Sequence, residues 1–122
     1  MKIDRELLKG CSEMAVLRLL DDCPMYGYQL AKELESRSAG ALALGHGTLY
    51  PLLYSLEGKG HIRADWRPSG EGPDRKYYAL TPQGRARLAE TSEQWHLLVT
   101  AMARVLAGPP TEPSAAPSAA AG

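Results

Sequence analysis

No run of 18 apolar residues occurs in the 122-residue chain, so a membrane-spanning helix is excluded. The opening "MKIDRELLKG" lacks the apolar segment of a secretory leader, and the chain is expected to be cytoplasmic. There are only two cysteines, Cys11 and Cys23, and neither has a CxxC partner. That spacing indicates neither a zinc site nor a disulfide framework, and Cys11, on an apolar helical face, is expected to pack in the core. His46, His61 and His96 are dispersed, with no matched carboxylate pair, nucleophile–base set or phosphate-binding glycine loop. An enzyme therefore has no support, and no cofactor or metal is expected. Net charge is zero, which on its face argues against a polyanionic partner.

What is present is ordinary in bulk and uneven in detail. Hydrophobic residues are 44% and charged residues 23%, values of a soluble globular protein of one domain's length. Residues 24–87 hold nine basic and six acidic side chains, whereas both flanks are net acidic. From Arg75 to Arg87 there are four basic residues and no acid. The middle of the chain is thus the place for an anionic partner.

Periodicity divides the chain into elements. Asp4 is an expected N-cap for one helix reaching Asp22, with Leu7, Leu8, Cys11, Met14, Ala15 and Leu17 at helical spacing. Pro24 disfavours helix at Cys23 and ends it. A second short helix, about 26–38, turns Leu30, Ala31 and Leu34 inward. "GHGTLYPLLYSLEGKG" (45–60) places leucines at 49, 52, 53 and 56, the i, i+3, i+4, i+7 pattern of a third helix. From Ile62 the period becomes 2, with Ile62, Ala64 and Trp66 alternating against Arg63, Asp65 and Arg67. "PSGEGPD" is a turn and "RKYYAL" a second strand, so 62–80 is expected to be a hairpin. Thr81-Pro82 starts a last helix, about 82–107, whose Leu88, Ser92, Trp95, Leu98, Val99, Met102 and Val105 form a roughly heptad seam. The proline-rich segment 108–122 is expected to be disordered.

Three helices and a basic hairpin are the order of a winged helix-turn-helix, a mainly α fold with a small β-hairpin. The third helix supports this in its outer face. At 100° per residue, Gly47, Pro51, Tyr54 and Gly58 oppose the leucines. A solvated face normally collects Lys and Glu. Here small residues permit close approach to a surface, while Thr48, Tyr50, Tyr54 and Ser55 offer hydroxyls to phosphates and base edges. Lys59 is an expected phosphate contact, as are Arg67, Arg75 and Lys76 of the hairpin; Lys32 is either a further phosphate contact or an ordinary solvated lysine, and His46 and His61 are expected at the surface or facing DNA.

Three blocks carry a family resemblance: "YGYQL" (26–30), "GTLYPLLYSLEGKGHI" (47–62) and "GPDRKYYALTPQG" (72–84). In order and spacing they resemble the PadR family of bacterial winged-helix transcriptional regulators, over about residues 6–107. The single C-terminal helix resembles the family's short-form subgroup. The resemblance implies a homodimer built on residues 82–107, with one winged-helix unit, 1–81, per subunit on a near-palindromic operator of double-stranded DNA. It assigns Thr48, Tyr50 and Pro51 to the recognition-helix motif and Arg75, Lys76 and Tyr77 to the wing. The expected function is sequence-specific repression, and the alternative is a winged-helix module that binds protein.

Departures from the family pattern also matter. Gly45 and His46 stand where many members have Ser-Pro, so the third helix is less well capped. Glu71 and Asp74 put two acids in the wing turn, unfavourable beside phosphates, which argues against deep minor-groove insertion of its tip. Trp95 has two readings. It fills space on a dimer seam, or, as in some short-form members, it faces its symmetry mate and stacks on a flat aromatic effector. Leu8, Cys11, Thr91, Leu98 and Met102 would supply the apolar walls of that cleft.

Overall fold

The computed structural model describes residues 3–8 and 10–110. The expected disorder of 108–122 falls, from residue 111 onward, outside the described residues. The elements run α1 (Arg5–Leu8), α2 (Ser12–Asp22), β1 (Met25–Tyr26), α3 (Gly27–Arg37), α4 (His46–Gly58), β2 (Ile62–Arg67), β3 (Arg75–Leu80) and α5 (Pro82–Ala107). The strands form one antiparallel sheet in the order β1-β3-β2. Two compact units divide the chain at Ser92, so the first turns of α5 belong to the helix–sheet unit.

The single helix expected over residues 4–22 is instead two. Asp4 does cap the first, accepting the Glu6 N–H at 2.8 Å. The break follows from what happens at the Leu8 carbonyl. It takes the Cys11 N–H at 2.9 Å, a tighter i→i+3 bond, and also the Ser12 hydroxyl at 3.0 Å. Gly10, which costs about 0.8–1 kcal/mol relative to alanine in a helix interior, lowers the barrier to that break. Cys11 is half-buried at the joint and Leu7 points to solvent.

β1 was not anticipated. Cys23 is extended ahead of Pro24, and the next two residues pair with β3, Met25 opposite Tyr78 and Tyr26 opposite Tyr77. Gln29 then reaches back to accept the Tyr26 N–H at 3.1 Å, fixing the start of α3. The far ends of α2 and α3 are tied by Asp22, whose carboxylate takes hydrogen bonds from Arg18 and Arg37 that hold it below the usual carboxylate range.

α2, α3, α4 and the sheet close over one core, in which Val16, Leu17, Leu30, Leu49, Leu53, Leu56, Ile62 and Tyr78 are essentially inaccessible. Burying each leucine of α4 is worth about 1.5–3 kcal/mol, so three of them outweigh the ~3 kcal/mol usually charged to a helical proline. Pro51 is the sixth residue of α4, and the carbonyl it leaves free belongs to exposed Gly47. Leu52, expected inward, is only half-buried at the core's margin.

The end of α4 is fastened firmly. Gly60, at φ +78°, lets the His61 N–H reach the Leu56 carbonyl and its own N–H reach Glu57, both at 3.0 Å. The Thr81 hydroxyl donates to the Gly60 carbonyl at 2.6 Å and accepts the Gly84 N–H at 3.0 Å. The Thr81 N–H reaches the His61 carbonyl at 3.1 Å. His61, expected at the surface, is corrected to a half-buried position: its backbone is part of this joint and its Nδ1 is enclosed, without a partner among the described residues.

Among the described residues, Tyr78 carries the one large pKa shift. Burial, with the Glu57 carboxylate adding to it, pushes the phenol from 10.0 up to about 12. The folded state thus holds this proton more tightly than the unfolded chain. Its contribution is fully present below about pH 10 and is lost as pH rises towards 12, up to roughly 2–3 kcal/mol. Thermal melts across that window should show Tyr78→Phe losing less stability than the parent; parallel losses would disprove the assignment.

Candidate nucleic-acid interface

α4 presents its expected outer face. His46, Gly47, Pro51, Tyr54, Ser55 and Gly58 are exposed, and Thr48 is half-exposed in the first turn. None of these residues is a lysine, arginine, aspartate or glutamate. The helix begins at Gly45 with no side-chain cap. His46 stacks on Tyr50 at 5.5 Å. Tyr50 itself turns inward: a Cβ on Gly27 would lie 2.5 Å from its hydroxyl, so glycine at 27 permits the close approach of α3 and α4.

The register of the hairpin sorts its side chains by face. Ile62, Ala64 and Trp66 pair with Leu80, Tyr78 and Lys76, and alternation puts these six on the side of the sheet toward α4. Arg63, Asp65 and Arg67 pair with Ala79, Tyr77 and Arg75 on the opposite side. The inward face runs out of core before the strand ends. Trp66, expected to be half-buried, is 63% exposed because the hairpin extends past the leucines of α4. The turn beyond it is pinned by Ser69, whose hydroxyl lies 2.7 Å from the Pro73 carbonyl and 3.0 Å from that of Glu71.

On the far side, cations lie over tyrosine rings in sequence. Arg67 is 4.7 Å from the Tyr77 centroid and Arg75 is 4.6 Å from Tyr26. Tyr26 meets Tyr77 edge-on at 5.4 Å and stacks on Tyr28 at 6.4 Å. Lys32 closes the row, 5.4 Å from Tyr28. The result is a continuous basic and aromatic track from α3 to the wing. Rings hold the cations in place without neutralising them; Arg75 and Lys32 make no ion pair among the described residues, whereas Arg67 also approaches Asp65 at 3.6 Å. Tyr28 was missed from sequence, although its i, i+4 spacing to Lys32 was the available signal.

Three of the expected phosphate contacts have an acidic neighbour, among them Arg67, whose Nε is 3.6 Å from the Asp65 carboxylate on its own strand. The Lys59 ammonium is 3.1 Å from both carboxylate oxygens of Glu13 on α2. Lys76 approaches Glu57 at 3.8 Å. Of the basic run toward Arg87, Arg85 pairs with Asp21 and Arg87 with Glu90. The proposed cleft residues stand as follows: Leu8 is buried, Cys11 and Thr91 are half-buried, and Trp95, Leu98 and Met102 are exposed on α5. Among the described residues no His, Cys, Asp and Glu cluster suits a metal ion, and no helix is long and apolar enough to cross a membrane.

The model of the transcriptional regulator PadR-like family matches residues 16–90, more than half of the chain and the whole of α3, α4 and the wing. The chain belongs to that family. It is accordingly a DNA-binding transcriptional regulator and not an enzyme, and its single C-terminal helix fits the short form. It is similar to the transcriptional regulator Rv3488 of Mycobacterium tuberculosis, 34% identical over 86 residues, covering 70% of this chain and 77% of that protein. The crystal structure of a PadR family transcriptional regulator from Eggerthella lenta matches with a TM-score of 0.75 and 36% identity over 85% of this chain and 88% of the other. A Streptococcus transcriptional regulator matches with a TM-score of 0.72 and 39% identity, over 84% and 98%.

Proposed function

We propose that this PadR-like chain is a repressor that binds a near-palindromic operator as a homodimer, with α4 in the major groove and the β2–β3 wing flanking it. The observation that carries this reading is the outer face of α4: exposed, small and hydroxyl-bearing, together with a row of ring-held cations on α3 and the wing. Thr48, Pro51 and Tyr54 approach the bases, His46 marks the entering end, and Lys32, Arg67 and Arg75 hold phosphates. Residues 1–81 form the reading unit, and the helix from Pro82 to Ala107 joins two subunits in the cytoplasm. Support for the latter is the apolar arc on that helix, where Trp95, Leu98, Val99, Met102, Val105 and Leu106 are 38–78% exposed.

Within the same reading, a planar apolar effector stacks on Trp95 between the subunits. Its binding changes the separation of the two α4 helices and lowers operator affinity.

Selection of duplexes from a random library tests the reading. The expected product is two inverted half-sites about one helical turn apart, bound with an affinity that falls steeply with salt. In vitro transcription from a promoter carrying that site should fall on adding protein, and a planar compound that quenches Trp95 emission should restore it. Enrichment of no duplex, or binding indifferent to both salt and sequence, would sink the proposal.

A further inference from the structure

We propose that Lys76 is a positioning residue, a strut that sets the angle between the wing and the recognition helix, and not a phosphate contact. The inference rests on the reading of α4 and the wing as the DNA-binding surface. Lys76 and Arg75 are adjacent in sequence, and the pleat sends them to opposite sides of the sheet. Arg75 joins the exposed track over Tyr26. Lys76 crosses toward α4, where its ammonium lies 5.5 Å from the Tyr54 centroid, 5.5 Å from the Tyr78 centroid and 3.8 Å from the Glu57 carboxylate. Its side chain is 28% exposed.

The surroundings fit a tie better than a contact. Tyr54 and Glu57 are i, i+3 on α4, so one turn of the recognition helix offers a ring face and an anion together. Tyr78 supplies the second ring from the lysine's own strand. Three groups thus surround one ammonium, and two of them belong to α4. A phosphate placed on Lys76 would meet the Glu57 carboxylate directly. Nearer the core, Ile62 and Tyr78 fix the sheet by burial. Farther out, Trp66, the register partner of Lys76, is exposed beside a slot of about 390 Å³ that reaches Tyr50 and Tyr54. Among the described residues Lys76–Glu57 is the only ion pair between wing and α4, so the angle at this distance from the core depends on it.

The test uses the full chain, a duplex that the parent has enriched from a random library, and a scrambled duplex of equal length. Lys76→Met keeps the stem and removes the charge, and Lys76→Arg keeps a cation that can sit between rings. Arg75→Ala serves as the control for direct phosphate binding. Lys76→Met should weaken the enriched duplex about tenfold while leaving scrambled binding within about twofold and the slope of log K against log salt unchanged; Lys76→Arg should restore selectivity. Arg75→Ala should weaken both duplexes alike and flatten the slope by about 0.9 for each phosphate it ceases to neutralise. A Lys76→Met protein that flattens the slope as Arg75→Ala does, or that binds both duplexes like the parent, overturns the strut. If the parent enriches no duplex, the DNA-binding reading fails instead, and amide hydrogen exchange decides the strut alone. Faster exchange across 62–80 in Lys76→Met, reversed in Lys76→Arg, supports it; unchanged exchange overturns it.

Discussion

Gly84→Ala is expected to destabilise the protein by at least about 3 kcal/mol and to lower its melting temperature by more than about 10 °C. A Cβ at this position would lie 1.9 Å from the His61 carbonyl oxygen and 2.8 Å from Leu80 Cδ1. Leu80 can turn aside, but the carbonyl cannot. It belongs to the backbone that closes α4, and it already accepts the Thr81 N–H. The new methyl must therefore push the start of α5 away from the α4–β2 junction, breaking the Thr81 bonds to Gly60 and Gly84 as it goes. Alanine's helix propensity returns only about 0.8–1 kcal/mol of that loss. Against a typical total of 5–15 kcal/mol, the change removes a large fraction of the fold's margin. Gly58→Ala is the matched control: it sits at the end of α4 with nothing within 4 Å of its Cβ. It should be neutral or stabilising by about 0.5–1 kcal/mol. Circular dichroism melts of the two proteins settle the matter, and a Gly84→Ala protein as stable as its parent would show that the α4–α5 joint is looser than described.

The second large effect is expected at Met102. Along the last part of α5, six of the seven large exposed apolar side chains from Trp95 to Leu106 fall within roughly a 120° arc at 100° per residue. Leu97 is on the opposite side. An arc this wide exceeds the narrow seam of a two-stranded coiled coil, and its middle is Met102, 44% exposed. Met102→Glu places a carboxylate at the centre of that arc, where pairing would bury it without a partner. Sedimentation should then report 13.2 kDa, against twice that for the parent. Affinity for the two-half-site operator should fall by roughly 10²–10⁴-fold, since the second half-site is no longer reached by a tethered copy. Binding to a single half-site should be little changed. A variant that remains a dimer, or a parent that sediments as a monomer, would remove α5 as the dimer helix.

Much of this arrangement could be read from residue order, for a physical reason. The leucines of α4, the alternation of β2 and the Thr-Pro start of α5 are periodic or capping signals, complete within a few residues. The outer face of α4 could be recognised because its residue types are wrong for a solvated helix. The features that escaped are those requiring two distant segments at once. A two-residue strand such as Met25–Tyr26 has no period to detect, and only pairing with Tyr77 and Tyr78 makes it a strand. Trp66 alternates correctly, yet the strand outruns the core, so its parity predicts the right face and the wrong burial. Lys59 and Lys76 look like free cations because Glu13 and Glu57 are brought to them by the fold. The break at Gly10 and Cys11 turned on which donors reached a single carbonyl, a competition too local and too finely balanced for periodicity to resolve.

The two ends of α4 are held very differently, and this has a mechanical meaning. Its far end is clamped by Gly60, His61 and Thr81, whereas its near end starts at an uncapped glycine. The helix is therefore held like a cantilever, its less fastened end at the residues proposed to enter the groove first. On the proposed mode of binding, small errors in half-site separation would be absorbed as bending at 45–48, above fully buried Leu49, while Tyr54 and Gly58 would stay in register with the wing. Tolerance and stringency would then belong to opposite ends of one thirteen-residue helix.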